Sequence, residues 1–187
     1  MRKLIYGMNV SVDGYIAGPD GDINWGSPSD ELFGWWLEQE KEVGLLLYGR
    51  RLWQNMSSYW PTGDQQPNAT AAQIEFARNW RDTPKVVFSS TIEVDDENTR
   101  LVTSDPVSEI ARLKSQDGGP MRVGGATLAA AAMQAGLVDE YTIVTHPLLL
   151  GSGLPFFSSL NEHIALDLIE SRQFPGGVVM TRYVVAK

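Results

Sequence analysis

The sequence predicts a three-layer α/β protein with a mixed, mainly parallel central sheet, helices on both faces and a C-terminal antiparallel hairpin. Segments with strand patterns alternate with segments with helix patterns along most of the chain, which is typical of such sheets. The last two strand-like segments, residues 164–174 and 178–185, are separated only by Pro175-Gly176-Gly177, which predicts a hairpin. No linker divides the chain, so we expect one domain over residues 1–187.

Three strands and three helices are predicted in the first half of the chain. Apolar runs predict strands at residues 4–12, 15–17 and 45–48, and capped amphipathic segments predict helices at residues 27–43, 50–57 and 69–80. The run Leu45-Leu46-Leu47-Tyr48 is apolar throughout, as expected for a strand buried on both faces. Residues 59–68 are rich in Pro, Gly, Asp and Gln and predict a loop.

The second half alternates more regularly. Strands are predicted at residues 85–88, 98–102, 121–123 and 141–145, and helices at residues 105–115 and 126–135. Asp105-Pro106 favours a helix start, and Gly136 favours a helix end.

The composition excludes several classes of protein. No apolar run reaches about 18 residues and the first residues lack an apolar signal-peptide core, so neither a membrane span nor a signal peptide is expected. A net charge of −8 disfavours nucleic-acid binding. The absence of cysteine excludes disulfides and fits a cytoplasmic protein. The two histidines, His146 and His163, lack metal-ligand spacing, so no metal is expected.

The strongest local signal is M-R-V-G-G-A-T-L, in which a predicted strand runs through Gly124-Gly125 directly into a helix. Glycines at such a turn let a phosphate approach the backbone, and the helix start offers free N–H groups and a partial positive charge. A tight turn that only relieves steric conflict explains the glycines equally well. The motif is not the G-x-G-x-x-G dinucleotide fingerprint.

Two further strands are predicted to end in polar residues. Arg50 and Arg51 follow the strand at 45–48, and Ser89 and Ser90 follow the strand at 85–88. An arginine fork suits a phosphate, although a solvated helix start explains Arg50 and Arg51 by themselves. The serines either donate to phosphate or end the strand. Together with Gly124-Gly125 they predict a ligand site along one edge of the sheet.

The segment G-S-P-S-D-E-L-F-G-W-W allows two interpretations of Asp30, as a helix cap and as a catalytic carboxylate. With Ser27 as the N-cap, Asp30 falls at the third helical position and completes a capping box. Asp30 also shares a helix face with Phe33 and Leu37, so it is predicted to point inward, where apolar surroundings would disfavour its charged form and suit a proton donor. The preceding Trp25 either lines a pocket or packs in the core.

Six segments in this order resemble the dihydrofolate reductase fold and, more closely, the reductase (RibD C-terminal) domain of bacterial riboflavin biosynthesis. They are S-V-D-G-Y-I-A-G, W-G-S-P-S-D, Y-G-R-R-L-W, V-V-F-S-S-T, V-G-G-A-T-L and H-P-L-L-L-G-S-G. The resemblance covers nearly the whole chain, and it implies NADPH binding and a homodimer.

The resemblance also implies roles for individual residues. It gives Asp30 as the catalytic carboxylate that binds and helps to protonate the substrate ring. Its implied substrate-binding residues are Asn9, Trp25, Phe33 and Tyr48. Its implied cofactor-binding residues are Ala17, Gly18, Gly49, Arg50, Arg51, Ser89, Ser90, Gly124, Gly125, Ala126, Thr127 and Leu128.

The function implied by the resemblance is NADPH-dependent reduction of a pyrimidine or pteridine compound, most like 5-amino-6-(5-phosphoribosylamino)uracil reductase. Dihydrofolate reductase is the alternative enzyme, and a non-catalytic nucleotide-binding module is the alternative of another class. Dihydrofolate reductases usually place a phenylalanine one turn after the carboxylate, where this chain has Gly34. An aromatic wall of the pocket is therefore missing, or Phe33 or Trp36 supplies it.

Overall fold

The structure is a computed structural model that describes residues 1–158 and 160–186. Residues 159 and 187, which complete the predicted domain, lie outside the described residues. The strands are β1 Leu4–Ser11, β2 Tyr15–Ala17, β3 Leu45–Gly49, β4 Lys85–Phe88, β5 Thr99–Val102, β6 Met121–Gly124, β7 Glu140–His146, β8 Leu154–Pro155, β9 Leu166–Phe174 and β10 Val178–Val185. The helices are α1 Asp30–Lys41, α2 Arg50–Tyr59, α3 Ala71–Asp82, α4 Pro106–Lys114 and α5 Ala126–Gln134.

Eight strands form one sheet in the order β5-β4-β3-β6-β1-β7-β10-β9. The pairs from β5 to β7 are parallel, whereas β10 runs antiparallel to both β7 and β9. The predicted mainly parallel sheet with a closing antiparallel hairpin is therefore confirmed. Strands β2 and β8 form a separate two-stranded sheet. Strand β8 was not predicted, because two residues carry no recognisable strand pattern.

Alternating side chains divide the core between the two faces of the sheet. On one face, Leu47 and Val123 pack with Ile110 of α4 and Ala129 of α5, all fully buried. Burying a side chain of the size of Leu47 contributes about 1.5–3 kcal/mol relative to exposure.

The opposite face of the sheet carries two aromatic clusters. Leu32 and Trp35 of α1 cover Val144 and Met180 in the first cluster. The second is formed by Leu46, Tyr48, Val87 and tryptophans of α2 and α3, Trp53 and Trp80. Helices thus cover both faces, as predicted.

Helix boundaries differ from the predicted ones by up to three residues, and a helical turn replaces part of a predicted loop. Helix α1 begins at Asp30 rather than at residue 27, because Ser29 caps it: the Ser29 hydroxyl accepts from the Leu32 amide at 3.2 Å. The predicted loop at residues 59–68 contains a 3-10 helix, Trp60–Gln65, whose start has a proline in its first turn. None of the helices in the described part of the chain is long and apolar enough to cross a membrane.

Candidate active site

The carboxyl ends of three neighbouring parallel strands bring the predicted ligand residues together. Strand β3 lies between β4 and β6, with Tyr48 opposite Gly124 and Gly49 opposite Phe88. Gly49, Gly124 and the start of the Ser89-Ser90 pair therefore lie side by side. This edge of an open α/β sheet is where such folds bind ligands.

Two helix starts meet at this edge. Helix α2 has Gly49 as its N-cap and α5 has Gly125, and neither helix has a side-chain capping bond. A Cβ added to Gly125 would lie 3.7 Å from the Gly49 nitrogen, so the two starts are in contact. Uncapped first-turn N–H groups and two converging helix dipoles favour an anion at this point.

The glycines of the Gly124-Gly125 turn also have a steric role. A Cβ on Gly124 would lie 2.4 Å from Cδ2 of Leu52, and Gly125 has a φ of 96°. Larger residues would therefore displace Leu52 or strain the turn. The steric and ligand-binding explanations are compatible, because the same lack of side chains leaves the backbone accessible.

A long groove runs from this turn to β2. One part, with a volume of about 480 Å³, is lined by Gly49, Arg50, Ala126, Thr127 and Leu128. The other part, of about 630 Å³, is lined by Ala17, Gly18 and the loop that follows them. Both parts share four lining residues, so they form one channel; the shared residues are Arg51, Leu52, Gly125 and Leu154. We call this channel the long groove.

Arg50 and the residues after β4 form a polar cluster beside the long groove. Arg50 is exposed and donates from Nη1 to Oγ1 of Thr91 at 3.3 Å, and Oγ of Ser89 lies 3.4 Å from the same oxygen. Ser90 is exposed next to them. The structure thus places Arg50 close to Ser89 through Thr91, which the sequence patterns did not single out although it completes the S-S-T segment.

The S-x-D-G segment holds the wall of the long groove. The Asp13 carboxylate accepts from the Leu150 and Gly151 amides at 3.1 and 2.7 Å and from the Ser11 hydroxyl at 2.6 Å. These bonds, led by that of Ser11, lower the pKa of Asp13. The bonds to Leu150 and Gly151 join the turn before β2 to the loop before β8. The two strands pair antiparallel, and a Cβ on Gly153 would lie only 2.0 Å from the Ala17 carbonyl oxygen.

A second cavity, of about 240 Å³, lies between α1 and the sheet, and we call it the aromatic pocket. Three of the predicted substrate residues line it, namely Asn9, Phe33 and Tyr48. Trp36, which the sequence offered with Phe33 as the aromatic wall, also lines it, and the lining residues that were not predicted include Glu40, Met56, Trp60, Phe76 and Arg122. Met8 and Leu52 belong to the linings of both cavities, so the aromatic pocket adjoins the long groove.

The aromatic side chains of the pocket are packed against one another. The Phe76 ring lies 4.3 Å from that of Trp60 and 5.6 Å from that of Phe33, centroid to centroid. Gly34 leaves open space, whereas Phe33 and Trp36 both line the pocket and supply its aromatic wall. Flat apolar walls of this kind favour a planar ring.

A buried ion pair lies at the pocket. Nε of Arg122 is 3.0 Å from Oε1 of Glu40, and their side chains are 10% and 14% exposed. Burial raises the pKa of Glu40, and the Arg122 charge opposes that shift. Glu40 lies in the last third of α1 and Arg122 in the middle of β6, so no local motif joins them.

Tyr48 forms a wall of the pocket with its hydroxyl turned to the core. Its hydroxyl accepts from Nε1 of Trp80 at 3.1 Å, and burial strongly raises its pKa. A neutral Tyr48 that is already bound to Trp80 suits packing against a ligand better than proton transfer.

Asp30 does not occupy the position that the capping pattern predicts. Because Ser29 is the N-cap, Asp30 is the first helical residue rather than the third, so the capping box with Ser27 is wrong. Asp30 is also exposed, whereas it was expected to point inward. Its catalytic role stays a prediction, but the apolar surroundings on which that role rested are absent. The carboxylate that lines the aromatic pocket is Glu40.

Trp25 packs against the end of β7. Its Nε1 donates to the Asp22 carbonyl at 3.1 Å, and its ring meets the His146 ring edge-on at 5.7 Å. Trp25 is not among the described residues that line the aromatic pocket, so its role in substrate binding stays a prediction. Within residues 1–158 and 160–186, no group of His, Asp and Glu side chains suits a metal ion.

Comparison with known sequences identifies relatives over almost the full chain. A family model described as the RibD C-terminal domain matches residues 2–180. Uncharacterized protein YyaP of Bacillus subtilis (strain 168) is 29% identical over 184 residues, covering 97% of this chain and 94% of that protein. Uncharacterized protein YwjB of the same strain is 29% identical over 190 residues, covering 99% of both.

Solved structures share the fold. A putative riboflavin biosynthesis protein from Shewanella sp. PV-4 superposes with a TM-score of 0.78 at 22% identity, covering 99% of both chains. A pyrimidine reductase-like protein from Corynebacterium diphtheriae gives 0.70 at 11% identity over 100% of this chain and 92% of that one. Dihydrofolate reductase from Enterococcus faecalis, complexed with NADP(H), gives 0.65 at 17% identity over 99% and 97%. At these identities the likeness establishes the fold alone.

Proposed function

Because this chain belongs to the RibD C-terminal domain family and has its reductase-type fold, we propose that it is an NADPH-dependent reductase of a pyrimidine or pteridine ring. One observation carries the proposal: a groove with anion-binding features adjoins a pocket with aromatic walls, and the two share Met8 and Leu52. A reductase of this kind needs two such sites side by side, one for the dinucleotide and one for the ring.

The residues of the long groove fit the phosphates of a dinucleotide. The uncapped starts of α2 and α5 offer backbone N–H groups, and side chains at Gly49 and Gly125 would fill the space between them. Pyrophosphate binding at such helix starts follows from their free donors and their dipoles. Arg50, with Thr91 and Ser89, would hold the 2′-phosphate that distinguishes NADPH from NADH.

When bound, NADPH supplies the hydride. The chain's own residues bind the phosphates, hold the substrate ring between the aromatic walls and exclude water from the junction at Met8 and Leu52. The aromatic pocket, at about 240 Å³, lies just below the roughly 300–1,000 Å³ typical of small-molecule sites. This size suits a single planar ring system.

The most specific form of the proposal is a 5-amino-6-(5-phosphoribosylamino)uracil reductase. A solved relative described by that activity and by a deaminase activity, from Thermotoga maritima, superposes with a TM-score of 0.67 at 15% identity, with 99% of this chain and 57% of that one covered. This likeness supports the reductase fold, whereas the identity of the substrate is part of our proposal.

The test is a pair of measurements on the purified protein. Calorimetric titration with NADPH and NADH measures cofactor binding, and the loss of NADPH absorbance measures turnover with an aminouracil ribotide, dihydrofolate and a simple carbonyl compound. We expect tight NADPH binding and turnover of the ribotide. Turnover of dihydrofolate alone would favour dihydrofolate reductase, and NADPH binding without turnover would favour a non-catalytic module. A chain that binds no NADPH would contradict the proposal.

A further inference from the structure

We propose that Glu40 and Arg122 together read the edge of a planar heterocycle that carries an N–H donor next to a carbonyl acceptor. The inference deepens the proposed function, since it names the chemistry by which the aromatic pocket recognises its ring. It assigns the polar end of that pocket to two residues to which the sequence analysis gave no role.

The first support is an unsatisfied buried donor. Nη1 of Arg122 is buried and has no hydrogen-bond partner in the described part of the chain, and the Nε contact with Glu40 is an ion pair without hydrogen-bond geometry. Buried donors are nearly always paired, so an unpaired guanidinium nitrogen calls for an explanation. A ligand carbonyl oxygen in the pocket would supply the missing acceptor.

The second support is the way in which the guanidinium is held. Its Cζ lies 5.3 Å from the centroid of the Trp36 ring, and the Trp36 Nε1 donates to Oδ1 of Asn9 at 3.2 Å. Gly7 also lines the pocket and lies close to the guanidinium: a Cβ there would lie 3.1 Å from Nη1 of Arg122 and 3.0 Å from Cβ of Thr142. The lack of a side chain at Gly7 therefore leaves room for Nη1 beside the pocket lining.

The third support is the charge balance of the pocket. Glu40 offers carboxylate oxygens that accept from N–H or NH₂ groups, while Arg122 only donates. The two charges compensate each other at 3.0 Å, so the pocket favours a neutral ligand over a phosphate. Arg50 and Arg51, which form no ion pair within the described residues, line the long groove instead. Aromatic walls and an adjacent acceptor and donor match an amino-oxo-pyrimidine ring.

A purely structural ion pair between α1 and β6 is the competing explanation. It predicts that the loss of Glu40 lowers stability without a specific effect on ring binding. Binding of small rings therefore separates the two explanations, provided that folding is measured for each variant.

The experiment uses isocytosine, 2-amino-4-oxopyrimidine, as the probe and 4-oxopyrimidine, which lacks the amino group, as the matched ligand. Binding to the full chain is measured by calorimetry. The variants are Glu40→Gln and, as control, Glu38→Gln, an exposed carboxylate on the same helix that pairs with Lys41. We expect the parent to prefer isocytosine over 4-oxopyrimidine, because both rings carry an N–H next to the carbonyl group but only isocytosine offers Glu40 a second N–H donor. Glu40→Gln should weaken isocytosine by at least about tenfold, because one charged hydrogen bond is lost, and Glu38→Gln should bind as the parent does.

Because Glu40→Gln leaves a buried charge on Arg122, a double variant, Glu40→Met with Arg122→Met, is measured alongside it. Replacing both charges by apolar groups usually preserves folding, which thermal unfolding verifies. We expect the double variant to lose the preference for isocytosine over 4-oxopyrimidine. The inference is overturned if the parent binds no isocytosine, if it does not distinguish the two rings, or if either folded variant binds isocytosine as the parent does.

NADPH titration of the same proteins separates this inference from the proposed function. If NADPH binds but isocytosine binding does not depend on Glu40, the inference fails while the proposed function stands. If isocytosine binding depends on Glu40 but no NADPH binds, the proposed function fails while the recognition role of the pair stands.

Discussion

Arg50 is exposed at the start of α2, with a hydroxyl partner in Thr91. We expect Arg50→Ala to weaken NADPH much more than NADH, because only NADPH carries the 2′-phosphate. Hydrogen bonds to charged groups contribute about 1.5–3 kcal/mol, so NADPH affinity should fall roughly ten- to hundredfold. Dissociation constants for both cofactors measure this, with the exposed Arg78→Ala as control. An equal loss for the two cofactors would rule out a phosphate contact at Arg50.

Asp30 is the first residue of α1, where a carboxylate interacts favourably with the helix dipole. We expect Asp30→Asn to lower the free energy of unfolding by no more than about 1 kcal/mol, since Ser29 supplies the cap. The loss of NADPH absorbance with the aminouracil ribotide, measured for the variant and the parent, then decides its role. If Asp30→Asn abolishes turnover while the protein stays folded, the catalytic prediction for Asp30 is correct.

At the scale of elements, we expect an added methyl group to have opposite effects on the free energy of unfolding at two glycines of the site region. Gly124→Ala brings a Cβ to 2.4 Å from Leu52, so we expect a loss of about 1–3 kcal/mol in the free energy of unfolding. Gly34 lies within α1 with open space around it, so Gly34→Ala should gain about 0.5–1 kcal/mol. Urea denaturation of both variants measures the difference. Equal signs would contradict the packing described for the end of β6.

A carboxylate in α4 links this helix to β5. Glu109 accepts from Nε and Nη2 of Arg112 at 2.8 and 2.7 Å and also pairs with Arg100. These bonds, with that of Arg112 the largest influence, lower the pKa of Glu109 from 4.5 to about 2. The stabilisation is therefore complete above pH 4.5 and is lost as the pH falls towards about 2.

We expect Glu109→Gln to be less stable than the parent at neutral pH, with a difference that shrinks as the pH falls through that window. Urea denaturation at several pH values measures the difference, and the exposed Glu93→Gln serves as control. A difference that stays constant as the pH falls towards about 2 would show that the carboxylate charge is not responsible.

At the scale of the whole molecule, the two edges of the sheet differ. Strand β5 has four residues, whereas β9 has nine and exposes Leu168 and Ile169, at 55% and 53%. A long edge strand presents unpaired N–H and C=O groups to a second strand, and Leu168 and Ile169 add an exposed apolar patch to this edge. We propose that β9 forms the contact of a homodimer, and we expect Leu168→Lys with Ile169→Lys to yield monomers in light scattering. The exposed Val12→Lys is the control. A parent that is monomeric would refute the proposal.

The sequence by itself determined the alternation of strands and helices, the closing hairpin and the strand-to-helix turn at residues 124 and 125. These features follow from short-range causes, namely apolar periodicity, turn sterics and the order of strand ends along the chain. Parallel pairing then carried Arg50, Ser89 and Gly124 to one edge, as expected, because the carboxyl ends of parallel strands meet there.

Only the tertiary structure decided which carboxylate enters the pocket. Ser27 and Ser29 are two residues apart, and both fit the local pattern of a helix cap. Packing of Leu32 and Trp35 against the sheet fixed where the helix lies. The same packing exposed Asp30 and brought Glu40 to Arg122, a pair from distant segments. Capping preferences are worth about 1 kcal/mol, less than the burial of two large apolar side chains, so long-range packing decided the position of the site.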